Sequence, residues 1–234
     1  MTTFDILLDR LDWEALRAQL DADGYALLPG LLDASSARGL AHSVSAGDSR
    51  RVTLESAELG RGELFYFDKA MPAPLQNWRS GFYRRLAPIA NRWQEILGVA
   101  HRYPDELDEY LRHNRDAGQM RAQSCLVRLG VEDHVSLHQR IEGSQVFPLQ
   151  IIALLSEPGA DFQGGEFVLT EQRPRMQSRP TVLPLKLGDV AIIATAERPF
   201  KGAKGYYRVN LKHAISRVRM GERNGLELSF HDAP

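Results

Sequence analysis

The 234-residue chain has a single cysteine, Cys125. No intramolecular disulfide can form, and a cysteine-rich zinc site is excluded. An excess charge of one sign is missing too. The 29 Lys and Arg residues nearly cancel the 30 Asp and Glu residues, leaving a formal charge of −1. The molecule as a whole therefore has no polyelectrolyte footprint for nucleic acid or an anionic membrane. Long apolar runs are absent as well. No stretch reaches the roughly 18 uncharged apolar residues that span a bilayer, and the acids in MTTFDILLDRLDWEAL argue against a signal peptide. These absences lead us to expect a soluble cytoplasmic protein with no membrane or nucleic-acid partner. With 43% hydrophobic residues, the chain is long enough to bury one large core.

The first half reads as helical. Trp13, Leu16 and Leu20 recur at helical spacing and Gly24 follows as a stop. GYALLPGLL (24–32) reads as strand and turn. Asp33 caps a helix over about 34–46, and FYF (65–67) is one strand. Residues 74–98 form one or two helices interrupted near Pro88, and residues 104–117 form another, with Pro104 at its start and Asp105 and Glu106 in its first turn. The second half alternates in strands at 124–130, 134–141, 147–156, 166–170, 181–187, 189–195, 206–216 and 226–230, separated by glycine-rich turns. Eight strands at this spacing predict a β-rich α+β fold: a jelly roll over 124–234, with the helical part, 1–123, packed on its outside in one domain. The apolar N-terminal helices suggest a homodimer.

Chemistry concentrates in SLHQRIEG (136–143). Side chains alternate along a strand, so His138, Arg140 and Glu142 should share a face. His213 lies on a later strand. Two histidines and a carboxylate on one face, with open positions, form the facial triad of non-haem iron oxygenases. Arg223, ten residues after His213, is placed to bind a carboxylate through its guanidinium.

With these residues in view, the chain resembles the bacterial 2-oxoglutarate and Fe(II)-dependent oxygenases of the prolyl-hydroxylase-like type. The resemblance rests on FPLQIIALLSEPGADFQGGEFVLTEQRPRMQSR, LKLGDVAII and GYYRVNLKHAISRVRMGER, and extends to GYALLPGLLD, GRGELFYF, RLAPIANRW and AGQMRAQSCLVRLG. It implies a double-stranded β-helix with His138 and His213 as iron ligands, Arg223 for 2-oxoglutarate, and dioxygen as co-reactant. It also implies oxidation, such as hydroxylation, of a small molecule or peptide. The chain departs from the family pattern beside the site. Arg140 stands where the family has the metal-binding Asp of His-x-Asp, and His134 and Glu142 stand where it has tyrosines.

Arginine has five donors and no acceptor, so it cannot replace a ligating carboxylate. Three readings of Arg140 follow. It could point away from the site. It could block the metal, since a unit charge about 5 Å from a divalent ion costs on the order of 6 kcal/mol at an effective dielectric near 20. Or it could bind an anion, with Glu142 as a candidate partner. Glu142 and His134 are spare candidate ligands, the latter more simply a rim histidine. His42, His101, His113 and His231 carry no spacing signal and read as surface or loop. Arg173, Arg175, Arg179, Arg217 and Arg219 read as solvated or salt-bridged, and Asp161 and Glu166 as turn residues. An oxygenase with a carboxylate-free metal site is set against two alternatives: a silenced relative that binds an anion or a partner, and metal-independent chemistry in the same pocket with Arg140 as clamp.

Overall fold

The computed structural model describes residues 3–43, 49–68 and 71–234. Helix α1 (Thr3–Asp9) precedes α2 (Trp13–Asp23), which Asp12 caps through the Ala15 amide and Gly24 ends at φ 76°. Only glycine takes that left-handed turn freely. Strand β1 (Tyr25–Leu28) and helix α3 (Ala34–His42) follow, with Asp33 accepting from the Ser36 amide. The expected extension of α3 beyond residue 43 lies outside the described residues. Strands β2 (Arg50–Thr53), β3 (Gly60–Arg61) and β4 (Glu63–Tyr66) lead to α4 (Ala73–Ile96) and α5 (Leu107–Asp116).

Helix α4 is continuous through Pro88, correcting the expected interruption. Pro88 faces solvent, so water can satisfy the carbonyl it leaves unpaired. Phe82, Leu86, Ile89 and Trp93 on both sides are buried in one core. Burial of such side chains, about 1.5–3 kcal/mol each, outweighs the roughly 3 kcal/mol cost of proline. Helix α5 starts at Leu107, three residues past Pro104, so Asp108 and Glu109 occupy its first turn.

The remaining strands are β5 (Cys125–Leu129), β6 (His134–His138), β7 (Leu149–Leu154), β8 (Phe162–Gly164), β9 (Phe167–Gln172), β10 (Arg179–Leu183), β11 (Val190–Ala194), β12 (Glu197–Gly202), β13 (Gly205–Ile215), β14 (Val218–Gly221) and β15 (Arg223–Leu228). All eight expected strands are present. Seven strands form one sheet in the order β1-β11-β7-β15-β5-β4-β2. A second has the order β10-β9-β13-β6-β3, with β12 paired to β13. The pairings between the named strands are antiparallel. The N-terminal part is not only helical: β1, β2, β3 and β4 join the two sheets.

Strand alternation divides the core. Leu126, Ile151, Ala153, Ile192, Leu226 and Leu228 face the helices, together with Leu20, Phe82 and Trp93. Cys125, Val127, Ile152, Leu154, Ala191 and Ile193 face inward and meet Phe167, Leu169 and Ile215 of the second sheet. This jelly-roll interior contains the site. Among the described residues no helix is long and apolar enough to cross a membrane.

Candidate metal centre

His138 ends β6 and lies directly opposite His213 of β13 in the antiparallel register. The next pair along is Val135 with Ile215, so β6 spends three residues where β13 spends two. This is a β-bulge. It lets Val135 and His138 both face the interior, which strict alternation forbids. The imidazoles are 4.2 Å apart between centroids, and His213 also stacks on Phe167 at 5.8 Å.

Both histidines are buried, with 8% and 1% of their surface exposed. The Nδ1–H of His138 donates to the Ser136 carbonyl at 2.9 Å, leaving Nε2 with a lone pair. Among the described residues that Nε2 is buried without a hydrogen-bond partner, as is Nδ1 of His213. The Gln150 amide nitrogen lies 3.3 Å from His213 Nε2. Burial lowers the pKa of both imidazoles, His213 the more strongly. Neutral imidazoles with unused nitrogens are the form that ligates a divalent metal.

Arg140 points inward, 3% exposed. Its Nε and Nη2 donate to one oxygen, Oε2 of Glu227, at 3.2 and 2.7 Å. Its Nη1 donates to the Tyr66 hydroxyl at 3.1 Å, and Nη2 lies 3.8 Å from Cys125 Sγ. Burial pushes the Cys125 thiol up to about 12, making it inert as a nucleophile. The anion that Arg140 binds is thus the protein's own. Glu142 is exposed and accepts from Gln123 instead, because β6 has ended and the chain has turned. Its candidate pairing with Arg140 is not found among the described residues.

Glu227 went unnoticed in the sequence. It faces inward on β15 between Cys125 and Ile152. Burial would raise its pKa, but Arg140 foremost, then the two histidines, outweigh that and hold it at about 2. Donor atoms of His138, His213 and Glu227 all lie within 4.8 Å of one another. The available signal was a lone acid at an inward position between Leu226 and Leu228. His134 pairs with Arg61 at the sheet edge and does not join this group.

Arg223 begins β15, four residues from Glu227 on the same face. Its surface is 3% exposed, yet among the described residues its side chain makes one hydrogen bond, from Nε to the Gly165 carbonyl at 2.8 Å. Arg140 and Arg198 are also buried, and each has a carboxylate partner. Arg223 has no ion pair among the described residues. Burial lowers its pKa to about 10. Gly165 and Gly225 make room for it: a Cβ at either would come within 2.9 Å of its side chain. A void of about 10 Å³ joins Arg223 to Glu227, and a pocket of about 350 Å³ opens on the other side of Arg223, beside Phe162 and Leu183.

A larger cavity, about 410 Å³, lies beside Gln139, the residue after His138. Trp93, Tyr103, Gln139, Thr195 and Asn210 are among its walls. Thr195 is fully buried, and its hydroxyl has no hydrogen-bond partner among the described residues. Another correction concerns His231, which is buried rather than superficial. It accepts from the Phe147 amide at 3.3 Å because the C-terminal segment folds back under α4 and α5. The other histidines without a spacing signal lie outside this centre: His42 contacts the Arg38 carbonyl and His101 packs on Tyr103.

The chain has relatives in sequence and in fold. Residues 62–233 match the family Oxygenase-NA, described as an oxygenase catalysing oxidative methylation of damaged DNA. An uncharacterized protein of Mycobacterium tuberculosis is 40% identical over 166 residues, 69% of this chain and 71% of that protein. A 2OG-Fe(II) oxygenase-family structure from Burkholderia pseudomallei has the same fold, with a TM-score of 0.55 at 16% identity over 96% of this chain and 93% of that one. So does a Trichoplax adhaerens prolyl hydroxylase in complex with a hypoxia inducible factor peptide, with a TM-score of 0.58 at 10% identity over 99% and 94%. Family membership implies Fe(II), 2-oxoglutarate and dioxygen as the reagents. The chain belongs to the Oxygenase-NA family of oxygenases, on a double-stranded β-helix of the prolyl-hydroxylase-like type.

Proposed function

We propose that the chain is an Fe(II)/2-oxoglutarate-dependent oxygenase in which His138 and His213 hold the iron and Arg223 takes the far carboxylate of 2-oxoglutarate. The substrate is a base presented in nucleic acid. One observation carries the reading. Two opposed histidines have buried, unpartnered nitrogens in the same barrel as a buried guanidinium that lacks a counter-ion. The donor types suit both groups: neutral imidazoles suit a divalent metal, and a guanidinium in a pocket suits a carboxylate.

Bound iron with 2-oxoglutarate supplies oxidation of a C–H bond by dioxygen, with succinate and carbon dioxide as co-products. The chain's own residues set where this occurs. Ser136 fixes the His138 tautomer. Phe167 and the surrounding apolar strands exclude water from the imidazoles. The cavity beside Gln139 offers the flat walls of Trp93 and Tyr103 with the polar groups of Gln139, Thr195 and Asn210. That chemistry suits a flipped base, stacked and hydrogen-bonded along its edge.

Charge distribution supports the nucleic-acid substrate over the small molecule or peptide that the family resemblance implies, although the net charge of −1 by itself gives no sign of it. Residues 171–219 contain eleven Lys and Arg but three acids, whereas the rest of the chain has eighteen against twenty-seven. Lys201, Tyr206, Arg208 and Lys212 are exposed on the outer face of β12 and β13, and Arg175 and Arg179 are exposed beside them. Only Arg208 of these cations has an ion pair among the described residues, with Glu197 at 3.4 Å. Such a strip fits a phosphate backbone, and the family description names damaged DNA.

The test is to load the protein with Fe(II) without oxygen, admit oxygen and 2-oxoglutarate, and measure succinate with and without lesion-bearing DNA oligonucleotides at two salt concentrations. We expect succinate release that DNA stimulates and salt weakens. Succinate no higher than in a protein-free control would overturn the oxygenase reading.

A second reading has its own observation. The Arg140–Glu227 pair is buried inside the barrel, and the void between Glu227 and Arg223 has room for about one water. A silenced relative that binds an anion at Arg223 would have this arrangement. Bound 2-oxoglutarate without iron or succinate is its expected signature.

A further inference from the structure

We infer that Glu227 is the third protein ligand of the metal centre, with Arg140 as the counter-ion on its far oxygen. The carboxylate that the family pattern puts two residues after the first histidine is supplied here from another strand, β15. This rests on the reading above only in taking iron as the resident metal.

The geometry supports it in three ways. First, the three candidate ligands are buried and come from β6, β13 and β15, with donor atoms within 4.8 Å of one another. Donors on a metal with bonds of about 2.1 Å lie roughly 3–4 Å apart, so small side-chain rotations close the set. Secondly, both hydrogen bonds from Arg140 to Glu227 fall on Oε2. A carboxylate accepts through both oxygens, so Oε1 remains for a metal while Oε2 stays paired. Thirdly, arginine and acid appear together. A buried arginine at the expected carboxylate position demands an anion, and the anion supplied is a side chain that also faces both histidines. Two imidazoles and one carboxylate then make up the facial donor set of a non-haem iron site. The residue at position 140 is kept out of the coordination sphere by its own ion pair.

Co(II) serves as the probe because its visible absorption reports ligand number and type without any turnover. The intact chain should bind one Co(II) with a d–d spectrum of a mixed nitrogen and oxygen site. Glu227→Gln should weaken binding at least 100-fold and change the band shape. That variant leaves Arg140 unneutralised, so the double variant Arg140→Gln/Glu227→Gln removes both charges, with circular dichroism and thermal melting as checks on folding. The folded double variant should also lose at least 100-fold. The relocation variant Arg140→Asp/Glu227→Leu should regain binding, because it restores a carboxylate beside His138.

Retention of Co(II) affinity within about 3-fold in the folded double variant would overturn the inference. So would an intact chain that binds no Co(II) at millimolar concentration while the relocation variant does, since Glu227 would then be a counter-ion alone. The outcomes separate from those for catalysis. Glu227-dependent Co(II) binding without succinate sinks the oxygenase reading and leaves this one standing. Succinate production together with a double variant that still binds Co(II) does the reverse.

Discussion

Two buried arginines share the interior of this barrel and face opposite electrostatic situations. Arg140 has a carboxylate, a phenol and a thiol around it. Arg223 has one backbone carbonyl and two glycines that keep side chains away. A buried ion pair with its hydrogen bonds made is internally settled, but loses heavily if one partner goes. A buried cation without a counter-ion is an unmet demand, and in a pocket it marks the place for an anionic ligand. The difference teaches that burial of an arginine does not by itself signal a binding site. The absence of its counter-ion does.

The comparison breaks first if Glu227 is removed. Glu227→Ala should cost about 3–5 kcal/mol of stability by leaving Arg140 uncompensated, whereas Arg140→Met/Glu227→Leu should lie close to the natural chain. Urea denaturation measures both, and a double variant as unstable as the single would mean that the lost carboxylate, not the stranded cation, sets the cost.

Acid sharpens the contrast between paired and unpaired buried groups. His231 has its pKa lowered from 6.5 to about 4 by burial, and its Nε2 has no partner. Above pH 6.5 it is neutral folded or unfolded. As pH falls below 6.5 the unfolded chain takes the proton first, so stability drops on the order of 3 kcal/mol by pH 4. Glu227, held at about 2, has the depressed pKa of a paired acid, and its contribution is lost only as pH falls from its ordinary 4.5 toward 2. His231→Gln should therefore flatten the stability profile between pH 7 and 4, read from urea midpoints. His138 and His213, also lowered, leave a residual slope. An unchanged profile would show that His231 is not the sensitive group.

Smaller effects belong to the Arg223 end. Gly225→Ala places a Cβ 2.9 Å from Arg223 Nη1 and should cost about 1–3 kcal/mol as overpacking, with weaker 2-oxoglutarate binding by calorimetry. Arg223→Met should cost least, about 1 kcal/mol for the Gly165 hydrogen bond, because no ion pair is broken. It should nonetheless abolish the rise in melting temperature on adding 2-oxoglutarate. An apo protein destabilised as much as by Glu227→Ala would erase the distinction between the two arginines.

Much of this was legible along the chain. Gly24 ends α2 where the spacing predicts, Asp33 caps α3, and all eight expected strands form. His213 on a strand also follows from alternation, whereas β15 starts at Arg223, three residues before the expected strand at 226–230. Other features were not legible. His138 faces inward through a bulge that strict alternation does not foresee. Glu142 leaves the shared face because the strand stops at His138. His231 has no periodic signal, and its burial depends on α4, α5 and the C-terminal segment meeting.

The sequence by itself determined the strand and helix pattern, the two imidazoles and the absence of a carboxylate at position 140. Those are local matters of spacing and residue chemistry. Only the tertiary structure decided that Glu227, 87 residues away, answers Arg140, and that Arg223 is left without an anion. Burial turns each of these charges into a strict requirement for a partner. The pairing of distant strands settles which requirement the protein meets from within and which it leaves to a ligand.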